Sequence, residues 1–378
     1  MKFRIITLVF SLCALTALTT SVRLSAQAQQ EQSKSADKPT ITEFNAPHAG
    51  RGSGQGTFPQ DNNADGTITG YYVTGHNVYH GFLRTPDGTI TSFDPPGSGT
   101  GSEQGTVPQS INEKGAIAGY YQDENNLYHG FLCTTDGTCT TIDSPGAGTE
   151  ANQGTFAENI NGKGTISGYY VDTNTVYHGF VRTPDGAITT FDAPGAGTGS
   201  NQGTIVTFEE GMNSEGAIIG WYVDSSGVYY GYLRSPDGGT FTTIDGADAA
   251  YTILGGINSA GAVTGYFGDA MGVGHGLLFV NGTLTQIDDP KAGTASGQGT
   301  YAFTISPAGA ITGQYTDANN NNHGFVRAPD GKFTTFDAPH AAPGITAGTR
   351  PETINPAGAI TGYYVDKNNA SHGFVRTP

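Results

Sequence analysis

Charge is scarce in this sequence, and positive charge most of all. Lys and Arg number 17 against 33 Asp and Glu in 378 residues, a formal net charge of −16. Such a surface repels nucleic acid and anionic lipid, so no nucleic-acid partner is expected. Cysteine is nearly absent, with three copies, and Trp221 is the one tryptophan. Beyond the N-terminus no apolar run is long enough to span a membrane, so no membrane insertion is expected. No G-x-S-x-G stretch occurs, which removes the strand-to-helix nucleophile turn of the hydrolases. Glycine-rich stretches such as "PGAGTGSNQGT" lack the Gly-Lys-Ser/Thr ending of a phosphate loop.

The first 28 residues read as a signal peptide. Lys2 and Arg4 form a basic start, Ile5 to Leu18 an apolar stretch, and Ala26-Gln27-Ala28 a cleavage site. The competing reading, a membrane anchor, needs ~20 apolar residues. Lipidation at Cys13 is excluded because Phe10-Ser11-Leu12 lacks the small residue beside the cysteine. Cleavage removes Lys2, Arg4 and Arg23 and no acid, leaving the chain three charges more negative. A secreted or periplasmic protein is expected, with residues 29–40 as a flexible polar leader and 41–378 as the folded part.

What the chain has in abundance is glycine (58), together with 19 Tyr and 19 Phe at recurring places, too many aromatics for a disordered chain. Near-copies of one unit recur about every 49 residues, marked by His80, His129, His178, Tyr230, His275, His323 and His372. That period with β-character points to propeller blades, since solenoid coils usually use shorter periods. From Gly105, "TVPQSI" reads as a first strand, "NEKG" as a turn and "AIAGYYQ" as a second strand. "DENN" is a polar turn, "LYHGFLC" a third strand, "TTDG" a turn and "TCTTID" a fourth strand. A long glycine-rich crossing, "SPGAGTEANQGT", leads to the next copy.

The last copy, from Gly362, stops after its third strand, while "ITEFNAPHAG" at 41–50 matches the fourth strand "ITSFDPPGSG" at 90–99 position by position. The expected fold is therefore an all-β seven-bladed β-propeller with four antiparallel strands per blade, the seventh blade closed by the N-terminal strand. Closure removes the sheet edges a linear stack would expose.

The motif IN-x-x-G-x-I-x-G-Y-Y … H-G-F stands at Ile111, Asn112, Gly115, Ile117, Gly119 to Tyr121 and His129 to Phe131. It resembles the HAF repeat of bacterial extracellular proteins, with Gly here in place of the middle Ala. The resemblance covers about residues 41–378. It implies a secreted repeat protein and brings no activity with it.

A histidine repeated blade after blade (His80, His129, His178, His275, His323, His372) is expected to be scaffold. Its candidate partners are the turn Asn residues (Asn112 and its equivalents) or the Asp closing the fourth strand (Asp94 and its equivalents). One His per blade gives no converging ligand set, and the "DENN"-type loops offer one carboxylate each against the six to eight oxygens of calcium. No metal and no cofactor are expected. Cys133 and Cys139 flank the "TTDG" turn and read as a disulfide, with two buried thiols as the alternative.

Ligand-binding candidates are Gln104, Gln153, Gln202 and Gln298, each followed by Gly-Thr where a crossing re-enters the ring. The alternative is that these residues only shape the start of the first strand. The fourth copy is irregular, with an insertion carrying Glu209 and Glu210 and with Trp221 where others have Tyr. The expected function is a non-enzymatic binding or structural module, monomeric, multivalent for polar ligands such as glycans or envelope components. The alternative is a propeller-type polysaccharide lyase or glycosidase near the fourth copy. Neighbouring residues on a strand point to opposite faces, so Glu209 and Glu210 are not expected to act on one bond.

Overall fold

The computed structural model describes residues 38–208 and 210–378. The expected signal peptide, the leader up to residue 37 and Glu209 lie outside the described residues. All regular structure among the described residues is β-strand.

The first four-strand group shows how the sequence builds the unit. Gly56–Asn62, Ile68–Val73, Tyr79–Arg84 and Ile90–Phe93 pair antiparallel in chain order. The first turn is drawn by Asn63, whose Oδ1 accepts from the Thr67 amide at 3.0 Å, while Gly66 takes the left-handed position at φ 81°. In the last turn Asp87 accepts from the Thr89 amide at 3.0 Å and Gly88 lies at φ 92°. The polar turn before the third strand is closed by Thr74 Oγ1 in the first group, accepting from the Val78 amide at 3.2 Å, and by an aspartate in the later ones. In the second group Asp123 Oδ1 accepts from the amides of Asn125 (2.8 Å) and Leu127 (2.9 Å). These aspartates serve their own backbone, as turn chemistry predicts.

The first strand carries a bulge. Its register with the second strand slips between Pro59 and Asp61, between Pro108 and Ser110, and between Ala157 and Asn159. The residue left over at each slip is Gln60, Gln109 or Glu158.

The same group recurs from Gly105, Gly154, Gly203, Tyr251 and Gly299. Gly348–Ile354, Ile360–Val365 and Ser371–Thr377 then form a three-strand meander, and Thr40–Phe44 pairs with Ser371–Thr377. Successive groups meet at one parallel contact, Tyr79 with Gly105, Tyr128 with Gly154, Tyr177 with Gly203 and Gly274 with Gly299. The same contact joins Ser371 to Gly56, where the Ser371 amide donates to the Gln55 carbonyl at 2.8 Å. Only glycine serves there. Gly105 sits at φ 120°, and a Cβ on it would fall 2.0 Å from the Tyr79 carbonyl oxygen.

The core is distributed between the sheets. Phe82, Phe131, Phe180, Phe325 and Phe374, one from each His-Gly-Phe, are fully buried beside Ile68, Ile166, Ile311 and Ile360. Each such phenyl contributes ~2–3 kcal/mol by leaving water. Phe44 of the N-terminal strand is buried, packs edge-on to Phe82 at 6.2 Å and carries the Arg84 guanidinium over its face at 4.8 Å. Ile41 is only half-buried, and packs at the margin of the cluster built on Phe336, Ile354 and Phe374.

The fourth group departs from the pattern. Its first strand, Gly203–Val206, stops early, and the Thr207 amide and the Gly211 carbonyl are both bonded to Ile219, with Phe208 and Glu210 outside the ladder. The expectation that Glu210 sits on a strand is therefore overturned. Glu210 has no strand partner and lies in a bend outside the ladder.

Candidate ligand-binding surfaces

The repeated histidines are clasps. Nδ1 of His80, His129, His178, His275 and His323 meets the Asp closing the fourth strand, Asp94, Asp143, Asp192, Asp288 and Asp337, at 2.7–3.0 Å. Of the two partners the sequence offered, the structure selects the aspartate. In the last meander the place of that aspartate is taken by Asn45 from the N-terminal segment, 2.8 Å from His372 Nδ1. Each imidazole lies on the second-strand aromatic ring, as His129 on Tyr121 at 5.0 Å, and Tyr230 lies on Tyr222 in the fourth group. The Asp143 hydrogen bond raises the His129 pKa above the usual histidine value. Among the described residues no three His, Cys, Asp or Glu side chains converge as a metal site would require.

The turn asparagines work at the opposite end of the groups. Besides capping its own turn, each hands its Nδ2 to the next group: Asn112 to the Asn161 carbonyl, Asn213 to Asn258, Asn258 to Ser306, and Asn355 to Asn63 at 2.8 Å. They surround a cavity of about 240 Å³ that Asp61, Glu113 and Glu210 also line. Desolvation, with the Asp61 and Glu113 charges facing it, pushes the Glu210 carboxyl up to about 8, and burial pushes Asp61 up to about 6. The insertion is tied across the groups, with the Gly211 amide on Asn159 Oδ1 at 2.7 Å and the Ile257 amide on the Glu210 carbonyl at 3.0 Å. Trp221 is not part of this cavity's lining; it is buried against the half-exposed Phe208 ring at 5.5 Å.

The Gln–Gly–Thr positions are committed to their own loops. Gln104 Oε1 accepts from the Gly101 amide, and its Nε2 donates to Asn126 Oδ1 at 2.9 Å. Gln153, Gln202 and Gln298 accept from Glu150, Gly199 and Ala295 in the same way. The threonines are fully buried, and Thr155 and Thr204 accept from the amides of Ser144 and Ala193. Cys133 and Cys139 face each other in register across the hairpin and are joined by a disulfide.

On the crossing face the strands open onto a cavity of about 680 Å³. The first-strand residues that stand here, such as Gln60 and Gln109, were not singled out from the sequence. They stand at the bulge, where the residue after Pro59 or Pro108 drops out of the ladder register, and the sequence carries no signal of it. Four tyrosines (Tyr71, Tyr79, Tyr120, Tyr128) and the amides of Gln60, Gln109, Gln122, Asn126 and Asn152 line the cavity. Glu103 is its one charged group. Beside Gln109 lies Glu158, fully buried, its carboxyl pushed up to about 8 by desolvation against a hydrogen bond from Gln109.

No known protein family matches the chain, and no curated protein is similar to it. Solved structures are. A prolyl endopeptidase superposes with TM-score 0.56 at 10% identity, over 89% of this chain and 50% of its own. A puromycin hydrolase variant gives 0.50 at 13% identity, over 86% and 52%. The chain thus spans about half the length of either enzyme. The BP39L lectin from Burkholderia pseudomallei gives 0.50 at 10% identity, over 89% of this chain and 95% of the lectin. At these identities the likeness is one of fold: an all-β arrangement of repeated blade-like strand groups, shared with a lectin over nearly its whole length.

Proposed function

We propose that this chain is a secreted or periplasmic, non-enzymatic binding module that takes uncharged polar ligands such as glycans on its crossing face. In this reading it is a monomeric seven-bladed propeller of the HAF-repeat kind, closed by the N-terminal strand. The pairing of Thr40–Phe44 with Ser371–Thr377, the Ser371–Gln55 hydrogen bond and the Asn355–Asn63 link all support closure. The signal-peptide pattern and the Cys133–Cys139 disulfide support an oxidising compartment. The observation that carries the function is the crossing-face cavity, with its tyrosine faces, amides and lack of any Lys or Arg. Aromatic faces and planar amides are what sugar rings and hydroxyls contact. The repeated glutamines do not enter the proposal, since their amides are held within their loops. The test is a glycan array probed with the purified full mature protein: binding to neutral glycans is expected, and silence across the array refutes the reading.

A second reading, glycosidase or lyase chemistry at the fourth group, has one observation in its favour. Asp61 and Glu210 share the cavity at the Asn-turn end with their carboxyls pushed to about 6 and about 8. Release of reducing ends from a polysaccharide, abolished by Glu210→Gln, would establish it; no release refutes it.

A further inference from the structure

The cavity of about 680 Å³ is lined by Val107, a short side chain at a position where two other groups carry Phe. The third position of the first strand faces the first tyrosine of the Gly-Tyr-Tyr stretch in register: Phe58 with Tyr71, Val107 with Tyr120, Phe156 with Tyr169. Where that position is Phe, its ring wedges between neighbouring groups. Phe156 reaches back to Tyr120 at 5.0 Å and Tyr128 at 4.5 Å, while stacking on its own Tyr169 at 4.7 Å. Phe58 likewise lies 5.1 Å from Tyr363 and 4.9 Å from Tyr71. Between the first and second groups the equivalent rings are Tyr71 and Tyr79, 5.6 Å apart, and the wedge due there is Val107. Valine is too short to reach them, and the space stays open.

A second observation says what the space is for. Gln109 lines it, is 6% exposed, and its Oε1 accepts no hydrogen bond from any described residue. A buried amide oxygen left without a donor is destabilising, and a turn of the Gln109 side chain toward the cavity lets a ligand hydroxyl supply that donor.

We propose that the Val107 gap is a single binding site for a neutral mono- or disaccharide, with a pyranose face on Tyr71 and Tyr79 and a hydroxyl donating to Gln109 Oε1. The assignment rests on the binding-module reading above and narrows it to one place. Neutrality follows from the lining, where Glu103 is the only charge and repels uronates and sulfated sugars. Enclosure by tyrosines and amides fits a ring that presents C–H groups on one face and hydroxyls at its edge.

The decisive variant is Val107→Phe, which installs the ring that Phe58 and Phe156 already supply elsewhere. It should fold with a Tm equal to or above that of the parent and lose sugar binding at least tenfold. Gln109→Leu, which removes the unsatisfied oxygen, gives the same loss by a different route. The probes are glucose, galactose, mannose, fucose, N-acetylglucosamine, cellobiose, maltose and lactose, with glucuronate and choline beside them. Saturation-transfer NMR detects contact, and titration gives stoichiometry on the full mature chain. One neutral sugar binding at one per chain, and lost in both folded variants, supports the site. Sugar binding unchanged in folded Val107→Phe overturns the site and leaves the binding-module reading standing. Stronger binding of glucuronate or choline overturns the chemistry. No binding of any sugar to the parent chain, with the glycan array also silent, overturns both.

Discussion

Replacing Glu158 by Gln should make the protein less sensitive to alkaline pH. Glu158 is 1% exposed, holds a hydrogen bond with Gln109, and its Oε2 has no partner among the described residues. Burial raises its carboxyl from 4.5 to about 8. A group whose folded-state pKa is raised is held protonated by the fold. Its contribution is fully present below about 4.5 and is lost as pH rises towards about 8. A difference of about 3.5 pH units at 1.36 kcal/mol each makes the full loss on the order of 5 kcal/mol. His129 acts in the same direction, because its raised pKa also favours the protonated folded state. Comparing variant with parent at each pH removes that shared part. Urea unfolding at pH 5, 7 and 9 is the assay. At pH 5 both side chains are neutral and the two proteins should lie within about 1 kcal/mol, as expected for one exchanged hydrogen bond. At pH 9 the variant should be the more stable by several kcal/mol. Parallel pH curves for variant and parent would refute the argument, because they would mean that Glu158 ionises in the folded protein at no cost.

Removing residues up to 50 should cost several kcal/mol, through the loss of buried Phe44 and the baring of Ser371–Thr377 as an edge, whereas removing residues up to 38 should leave Tm unchanged. Equal melting of the two truncations, both monomeric by size exclusion, would contradict the role given to Thr40–Phe44. Protein made in an oxidising compartment should show no free thiol after denaturation without reductant, and Cys133→Ser with Cys139→Ser should lower stability by about 2 kcal/mol in urea unfolding. Gly105→Ala should cost at least about 3 kcal/mol, since a Cβ there meets the Tyr79 carbonyl at φ 120°, and circular dichroism melting reads the loss.

The unit was legible because its punctuation is local. Asn63 to Gly66 and Pro86 to Gly88 draw turns by side-chain hydrogen bonds and left-handed glycines that any reader of sequence can place. The complement between residues 41–50 and the shortened last copy was legible for the same reason, as a match of strings. The His partner was narrowed to two residue types, and geometry chose the aspartate. The bulge was not legible. Nothing in "TFPQDN" says that Gln60 leaves the ladder, so the residues facing the cavity stayed hidden among polar strand positions. Repetition itself misdirected the search. It drew attention to Gln104 and its equivalents, which the loops consume, and away from Val107, whose meaning lies in differing from Phe58 and Phe156. The fourth-group insertion was visible, but its loss of strand pairing was not, because that depends on what stands opposite.

The clasp between His372 and Asn45 spans 327 residues of chain. Every other clasp closes over 13 or 14. The first six groups can therefore assemble from nearby chain as it emerges, while Thr40–Phe44 must wait for Ser371–Thr377. Completion is a single long-range event whose entropy cost falls on one step, and that step should set the folding rate. Until it happens, Thr40–Phe44 has no strand partner and Ser371–Thr377, paired only with Ile360–Val365, keeps one open edge, and there a chaperone or a second copy of the chain competes with the native pairing.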